Sequence, residues 1–236
     1  MEISGCNNLL RHNENHRLEI IGRHISNGVE IPCADAIIID DKCSIGKGTV
    51  IYPGTIIRGC VKIGENCIIG PDAYIIDSTI GDNVIFNSSH IRNSQIDDNA
   101  DIGPFVNIRP DSVIGKNVHL GNFTEVKNSV IGNGTKVSHL TYVGDSDVGQ
   151  KVNFGCGTVT VNFNGKTKSR TTIKDGAFIG CNTNLVAPVT VGENSYTAAG
   201  STITENVPDN SLAVARERQT NKIGWITENQ PYRNKV

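Results

Sequence analysis

Aliphatic residues recur on a six-residue beat along most of this chain. The beat starts at Ile45 and returns at Ile51, Ile57, Ile63, Ile69 and Ile75. After a few five-residue steps it resumes at Ile102, Ile108, Ile114, Leu120 and Val126, then at Val137, Val143, Val148 and Phe154. A polar stretch interrupts it before Ile173, Ile179, Leu185 and Val191. Two places before many of these residues sits a small one, as at Cys43, Thr49, Thr55, Val61, Cys67, Ala73, Ser112, Val118 and Thr124. Residues two apart on a strand share a face, so each small and aliphatic pair points inward. Gly, Asp or Asn often follows, as at Gly46, Gly64 and Gly192, and suits the left-handed backbone of a corner.

A six-residue unit holds one short strand and one turn, which is too little to bury a core alone. Three units make a triangular coil, and stacked coils bury a narrow continuous column. The regular span predicts roughly nine coils. An ordinary β-sandwich fits poorly, because its strands alternate over longer runs at spacings of about 8–12 residues. The [LIV]-G-x-x-[small]-x repetition resembles the hexapeptide-repeat superfamily. That resemblance, rather than the spacing, implies an all-β, left-handed parallel β-helix, since the general crossover rule favours right-handed connections. The expected organisation is an N-terminal arm over residues 1–34, a β-helix over 35–206 and a C-terminal tail over 207–236. In the arm, ENHRLEIIGRHISNG reads as a short helix stopped by glycine. The interruption NFNGKTKSRTT, at residues 162–172, is cationic and out of register, and reads as a functional loop on the solenoid's face.

Composition narrows the function. Aromatics make up 5% of the 236 residues and the formal charge is −2, without the basic surplus of a nucleic-acid binder. No apolar run approaches the ~18 residues of a membrane span, and the start lacks a secretory signal. Seven cysteines with no CxxC pair fit reduced thiols in a cytoplasmic protein. Cys43 and Cys67 occupy small inward slots and read as core fillers.

The same beat shows which polar residues cannot be core. His139 lies two places after inward Val137, at a corner. Arg109 and Lys127 each follow an inward residue and are eighteen apart, one coil, so they stack at a single corner. Twelve residues separate Lys127 from His139, which places the histidine about two sides further round. Contact between neighbouring prisms would bring the cations and the histidine together, so an oligomer with interfacial sites is expected. Such a group suits acyl transfer to an amine on a phosphorylated sugar. Arg offers phosphate a planar fork and Lys a point charge. A neutral imidazole can take a proton as the amine attacks. The turn Gly155-Cys156-Gly157 offers backbone N–H groups for an oxyanion.

GNFTEVK, SHLTYVGD, VNFGCGTVTVNFNG, LVAPVTVG, AAGSTIT and QTNKIGW carry a closer resemblance. From about residue 14 to 225 the chain is similar to the acetyltransferase half of the bifunctional glucosamine-1-phosphate acetyltransferase/N-acetylglucosamine-1-phosphate uridyltransferase family. The resemblance implies a homotrimer with sites between subunits, acetyl-CoA as co-substrate, no metal for acetyl transfer, and His139 as general base. It implies that Arg109, Lys127, Tyr142, Asn153 and Lys168 hold the sugar phosphate, with Glu125 positioning substrate or base. It implies that Asn162, Phe163, Cys156, Cys181, Ala199, Arg216 and Lys222 line the acetyl-CoA site.

Cys156 stands where that family usually has Ala, Cys181 where it usually has Ser, and Phe163 where Tyr is common. These residues contain neither a glycine-rich nucleotidyl loop nor a Walker motif, so no uridyltransferase activity is expected of them. Three rivals remain: an acetyltransferase for another amino sugar or sugar nucleotide, the zinc carbonic anhydrase that shares this fold, and a non-catalytic trimeric scaffold. The histidines at 90, 119 and 139 lack the closely spaced pair a zinc site of that kind needs.

Overall fold

In the computed structural model, which describes residues 2–229, the repeat forms a parallel β-helix. The chain visits three sheets in turn. Face I runs from Ile38–Ile39 to Thr202–Ile203 in ten strands, and face II from Ser44–Ile45 to Val189–Val191 in nine. Face III runs from Val50–Ile51 to Leu212–Ala213 in ten. About ten coils therefore stack, one more than the spacing predicts. Coiling continues past residue 206, because Leu212–Ala213 pairs with Tyr196–Thr197.

Register explains the beat. Ile91 pairs with Ile108, and Ile108 with Val126, so one inward residue sits on the next. Ile51, Ile57, Ile75, Ile108, Val126, Val137 and Leu185 are fully buried. Most of the small slots that carry Thr or Ser keep their hydroxyls bonded, with Thr55 and Thr171 Oγ1 buried and unpartnered. Ser129 Oγ donates to Lys127 O at 2.8 Å and accepts Ser146 N–H at 2.9 Å, tying one coil to the next. At the corner between faces I and II the beat often shortens to five residues, as from Val126 to Ile131 and from Val143 to Val148.

The N-terminal arm is a long helix, α1 (Glu2–Ser26), rather than a short one. It ends on Gly28 in the left-handed region (φ 89°), where Val29 N–H bonds His24 O and Gly28 N–H bonds Ile25 O. Ile20 and Ile21 are buried, and Arg17 donates to Ala34 O and Ile37 O at 2.9 Å, so α1 covers the open end of the first coil. At the other end a short helix, α2 (Trp225–Asn229), follows an exposed tail.

The core column should carry the stability. Ile108→Ala, at a fully buried site, is expected to cost about 2–5 kcal/mol. Ile68→Ala, on the outward side of face III, should stay within about 0.5 kcal/mol. Urea unfolding of the two variants checks this, and equal midpoints would contradict the inward assignment.

Candidate active site

The residues singled out by sequence gather at two corners that flank face I. At the corner between faces I and II, register stacks Arg92 on Arg109 and Arg109 on Lys127. The column then stops, because Lys127 is followed on the next coil by Gly144. A Cβ at Gly144 would meet Tyr142 Oη at 2.3 Å and Cζ at 2.5 Å, so the missing side chain is what lets the tyrosine ring lie across this position.

The polar excursion is inserted at this same corner, immediately above Asp145. Phe163 and Lys168 bridge its two limbs, and Asn164 Oδ1 accepts the N–H groups of Lys166 and Thr167 in the tip. Arg170 anchors the returning limb with Nε to Asp147 Oδ2 at 2.9 Å and a second bond to Oδ1. It also donates to the carbonyls of Asn128 and Ser146. The excursion thus closes a cleft of about 500 Å³ lined by Arg109, Lys127, Asn128, Asp145, Lys168 and Arg170.

Asp145 sits at the centre of this cleft, a residue the sequence reading passed over. It is buried, within 3.9 Å of Lys127 Nζ, and accepts amide hydrogen bonds from Asn128 and Asn162. Burial pushes its carboxyl up, but those amides and the charges of Lys127 and Lys168 outweigh it, so its pKa falls below the usual value. Lys168 is held below the ordinary lysine range by the ammonium of Lys127 beside it. Two ammonium groups forced together are poised to be relieved by an anion. Glu125 aims the third cation: its carboxylate accepts Arg109 Nη1–H at 2.9 Å and the Asn107 amide at 3.3 Å. Tyr142 Oη accepts the Asn162 amide at 3.3 Å. Asn162, with Phe163 beside it, therefore lies with the cations, away from Cys156, Cys181 and Ala199, which the resemblance also gives to acetyl-CoA.

His139 occupies the corner between faces III and I. Val137 pairs with Phe154, Phe154 with Ile179 and Ile179 with Thr197. Counting two residues on from each gives one column: His139, Cys156, Cys181 and Ala199. Asn153 lies on face III between Lys136 and Phe178, on the far side of this column from the cations. Arg216 reaches the same corner, with its Cδ 3.7 Å from where a Cβ on Gly200 would stand. Phe163 is exposed on the excursion, and Lys222 is exposed in the tail. Two sides along the chain is one side back around a triangle, so the His139 corner and the cation corner share face I. Tyr142 stands on the strand between them.

The turn at Gly155-Cys156-Gly157 offers less than the sequence suggests. Gly155 N–H donates to Ile179 O and Gly157 N–H to Leu140 O, so at most the Cys156 N–H faces an oxyanion. The His139 corner also carries exposed Phe105, Phe123 and Leu140, all in the left-handed region that bulky residues rarely adopt. Phe105 and Phe123 stack at 5.4 Å. The three repeat histidines do not converge: His90 is on face I, His119 pairs with Asp101 on face III, and His139 is at the corner. Among the described residues, no group of three or more His, Cys, Asp or Glu is arranged to hold a metal ion.

The family model described as bacterial transferase hexapeptide (six repeats) matches residues 42–77 and 170–205, and the GMPPB C-terminal domain model matches 90–164. The chain is 54% identical over 203 residues to the bifunctional protein GlmU of Clostridium kluyveri, covering 86% of this chain and 44% of that protein. It is 51% identical over 228 residues to the bifunctional protein GlmU of Acetivibrio thermocellus, covering 95% and 50%. Among solved structures, an Arabidopsis UDP-N-acetylglucosamine acyltransferase aligns at 15% identity with a TM-score of 0.46, covering 86% of this chain and 72% of that one. The protein belongs to the hexapeptide-repeat acyltransferases. Within them it is a homologue of the C-terminal acetyltransferase half of the bifunctional GlmU proteins, and it spans about half the length of those relatives.

Asp145 gives the cleft a pH signature. Its lowered pKa means its stabilisation is fully present above the ordinary aspartate value of about 3.9 and is lost as pH falls through the lower folded value. Asp145→Asn should therefore be destabilised by on the order of 1.5–3 kcal/mol at pH 7. The gap to wild type should hold down to about pH 4 and close below it. Urea midpoints across the acid range check this, and a gap that widens on acidification would contradict the assignment.

Proposed function

We propose that this chain transfers the acetyl group of acetyl-CoA to the amine of glucosamine-1-phosphate. The product, N-acetylglucosamine-1-phosphate, would feed UDP-N-acetylglucosamine and cell-wall precursor synthesis in the cytoplasm. The observation that carries the proposal is the cation corner, where Arg109, Lys127 and Lys168 converge around a single buried carboxylate. Arg109 and Arg170 are matched by Glu125 and Asp147, while the neighbouring ammonium groups of Lys127 and Lys168 share the one buried carboxylate of Asp145. A phosphate on the acceptor supplies the missing negative charge. The relatives named bifunctional protein GlmU support the choice of acceptor. The proposal covers acetyl transfer alone and assigns these residues no uridylyl step.

In this reading the sugar phosphate lies against Arg109, Lys127 and Lys168, with Tyr142 and Asn153 contacting the sugar. Glu125 keeps Arg109 aimed at the phosphate. The acetyl-CoA thioester runs along the column of Cys156, Cys181 and Ala199, with Arg216 and Lys222 toward the nucleotide, Phe163 giving an apolar surface, and Asn162 at the junction with the cation cleft. The substrate amine attacks the thioester carbonyl while His139 takes its proton. The tetrahedral intermediate then collapses, the C–S bond breaks, and the coenzyme A thiolate leaves and is protonated. The thioester is already activated, so the step calls for no metal and no covalent enzyme intermediate.

The two half-sites sit at different corners, so the proposal includes a homotrimer in which one prism's His139 column faces another's cation corner. Closed assemblies of this kind suit a protein that exposes a contiguous apolar patch, here Phe105, Phe123 and Leu140. A second reading, transfer to another amino sugar, keeps the same chemistry and differs only in the acceptor.

Two measurements test the proposal. His139→Ala should lose about 10²–10⁴-fold in kcat while still binding acetyl-CoA, and near-normal turnover would remove His139 from the mechanism. Glucosamine should show kcat/KM lower than glucosamine-1-phosphate by at least about tenfold, the value of one or two charge-assisted hydrogen bonds. Equal values would sink the phosphate clamp, and a different preferred amino sugar in a thiol-release panel would favour the second reading.

A further inference from the structure

Cys156 and Cys181 occupy matched places on neighbouring coils. Phe154 pairs with Ile179, so two residues further on the cysteines oppose each other. Backbone bonds on both sides fix the match, with Gly155 N–H to Ile179 O and Asn182 N–H to Cys156 O, each 2.7 Å. A Cβ at Gly155 would lie 2.4 Å from Cys181 N, so the two turns meet backbone to backbone. Parallel neighbours stand about 4.8 Å apart, inside the roughly 4.4–6.8 Å between Cα atoms that a disulfide bridges. Both thiols are free, Cys156 half-buried and Cys181 exposed.

The other described cysteines are placed differently. Cys43 and Cys67 are buried in the core, and burial pushes their thiols up. Cys60 is exposed but lies over Asp77, whose carboxylate accepts its N–H. Cys43 and Cys60 also lie near each other on neighbouring coils, but register sets Cys60 opposite Lys42, whereas it sets Cys156 directly opposite Cys181. His139 precedes them in the same column and Ala199 follows.

We propose that Cys156 and Cys181 form an oxidisable dithiol whose closure shuts the acetyl-CoA site, and that its oxidants are disulfides of low-molecular-weight thiols, coenzyme A disulfide above all. The choice of coenzyme A rests on the proposed function, in which every turnover releases that thiol beside this column. The more exposed Cys181 thiolate attacks one sulfur of the small disulfide. That S–S bond breaks, one small thiol leaves, and Cys181 carries a mixed disulfide. Cys156 then gives up its proton, with the imidazole of His139 one coil away as acceptor, and attacks the Cys181 sulfur. The second small thiol leaves protonated. One small disulfide is reduced to two thiols, and the two protein thiols are oxidised to one bridge. Excess thiol reverses both steps.

The test uses the whole chain. The protein is incubated with coenzyme A disulfide, and in parallel with oxidised glutathione, then alkylated, digested without reductant and mapped by mass spectrometry. The expected result is a cross-linked Cys156–Cys181 peptide pair, with both sites lost to alkylation. In Cys156→Ser, a mixed disulfide should persist on Cys181 because nothing resolves it. Full alkylation of both cysteines while Cys60 takes up the adduct would overturn the proposal, as would a mixed disulfide on Cys181 that never resolves in the wild-type chain. Acetylation of glucosamine-1-phosphate should fall roughly 10²-fold on oxidation, as for a displaced site, and return with dithiothreitol. A bridge that leaves this rate unchanged would overturn the switch. The two readings separate cleanly. A chain that forms the bridge but never acetylates glucosamine-1-phosphate loses the proposed function and keeps the dithiol. A chain that acetylates but forms no bridge loses the dithiol alone.

Discussion

Everything in this molecule depends on the in-register hydrogen-bond ladder between successive coils. Each coil's N–H groups donate to the carbonyls of the next, as Arg109 N–H does to Val126 O at 2.8 Å. Residues one coil apart in sequence are thereby held about 4.8 Å apart in space. A list of residues becomes a set of columns. Inward columns of Ile, Val and Leu make the core, and outward columns make chemistry. The same ladder that stacks Ile91, Ile108 and Val126 inside stacks Arg92, Arg109 and Lys127 outside. Like charges at that spacing are tolerated because Glu125 and the buried Asp145 lie between and behind them. The Arg109–Glu125 pair is over a third exposed, so its value lies in aim more than in stability.

The fold was legible because burial in a narrow prism tolerates little but one aliphatic and one small residue per side. The beat from Ile45 to Val191 names strands that are indeed stacked and buried. The winding hand was not in the spacing and came from resemblance. The end of the solenoid was missed because Leu212–Ala213 follows Pro208 and an irregular step, and its outward leucine is exposed. The length of α1 was missed because its N-terminal half offers no clear apolar stripe.

The site was legible in part, and for the same reason. Arg109 and Lys127 stack because eighteen residues make one coil, and that arithmetic needs only the sequence. Asp145 was not found, because the five-residue step from Val143 to Val148 tucks this corner residue under the excursion, where an outward position would otherwise be solvated. Arg170 looked like one more cation of a polar loop, yet its guanidinium is committed to Asp147 and two carbonyls and serves to fold that loop back. Gly144 drew no notice in the sequence, yet its missing side chain makes room for Tyr142. A usable signal existed for these residues: all three fall where the repeat changes length.

In the proposed trimer, the His139 column and the cation corner are halves of one site contributed by different subunits. Mixing inactive His139→Ala subunits with inactive Lys127→Ala subunits, and assaying acetyl transfer in assemblies verified by sizing, tests it most directly. The account predicts a particle near three times the 25.4 kDa chain and recovered activity, because some mixed interfaces pair an intact His139 with an intact Lys127. A fully active monomer, or verified mixed assemblies that stay dead, would contradict it.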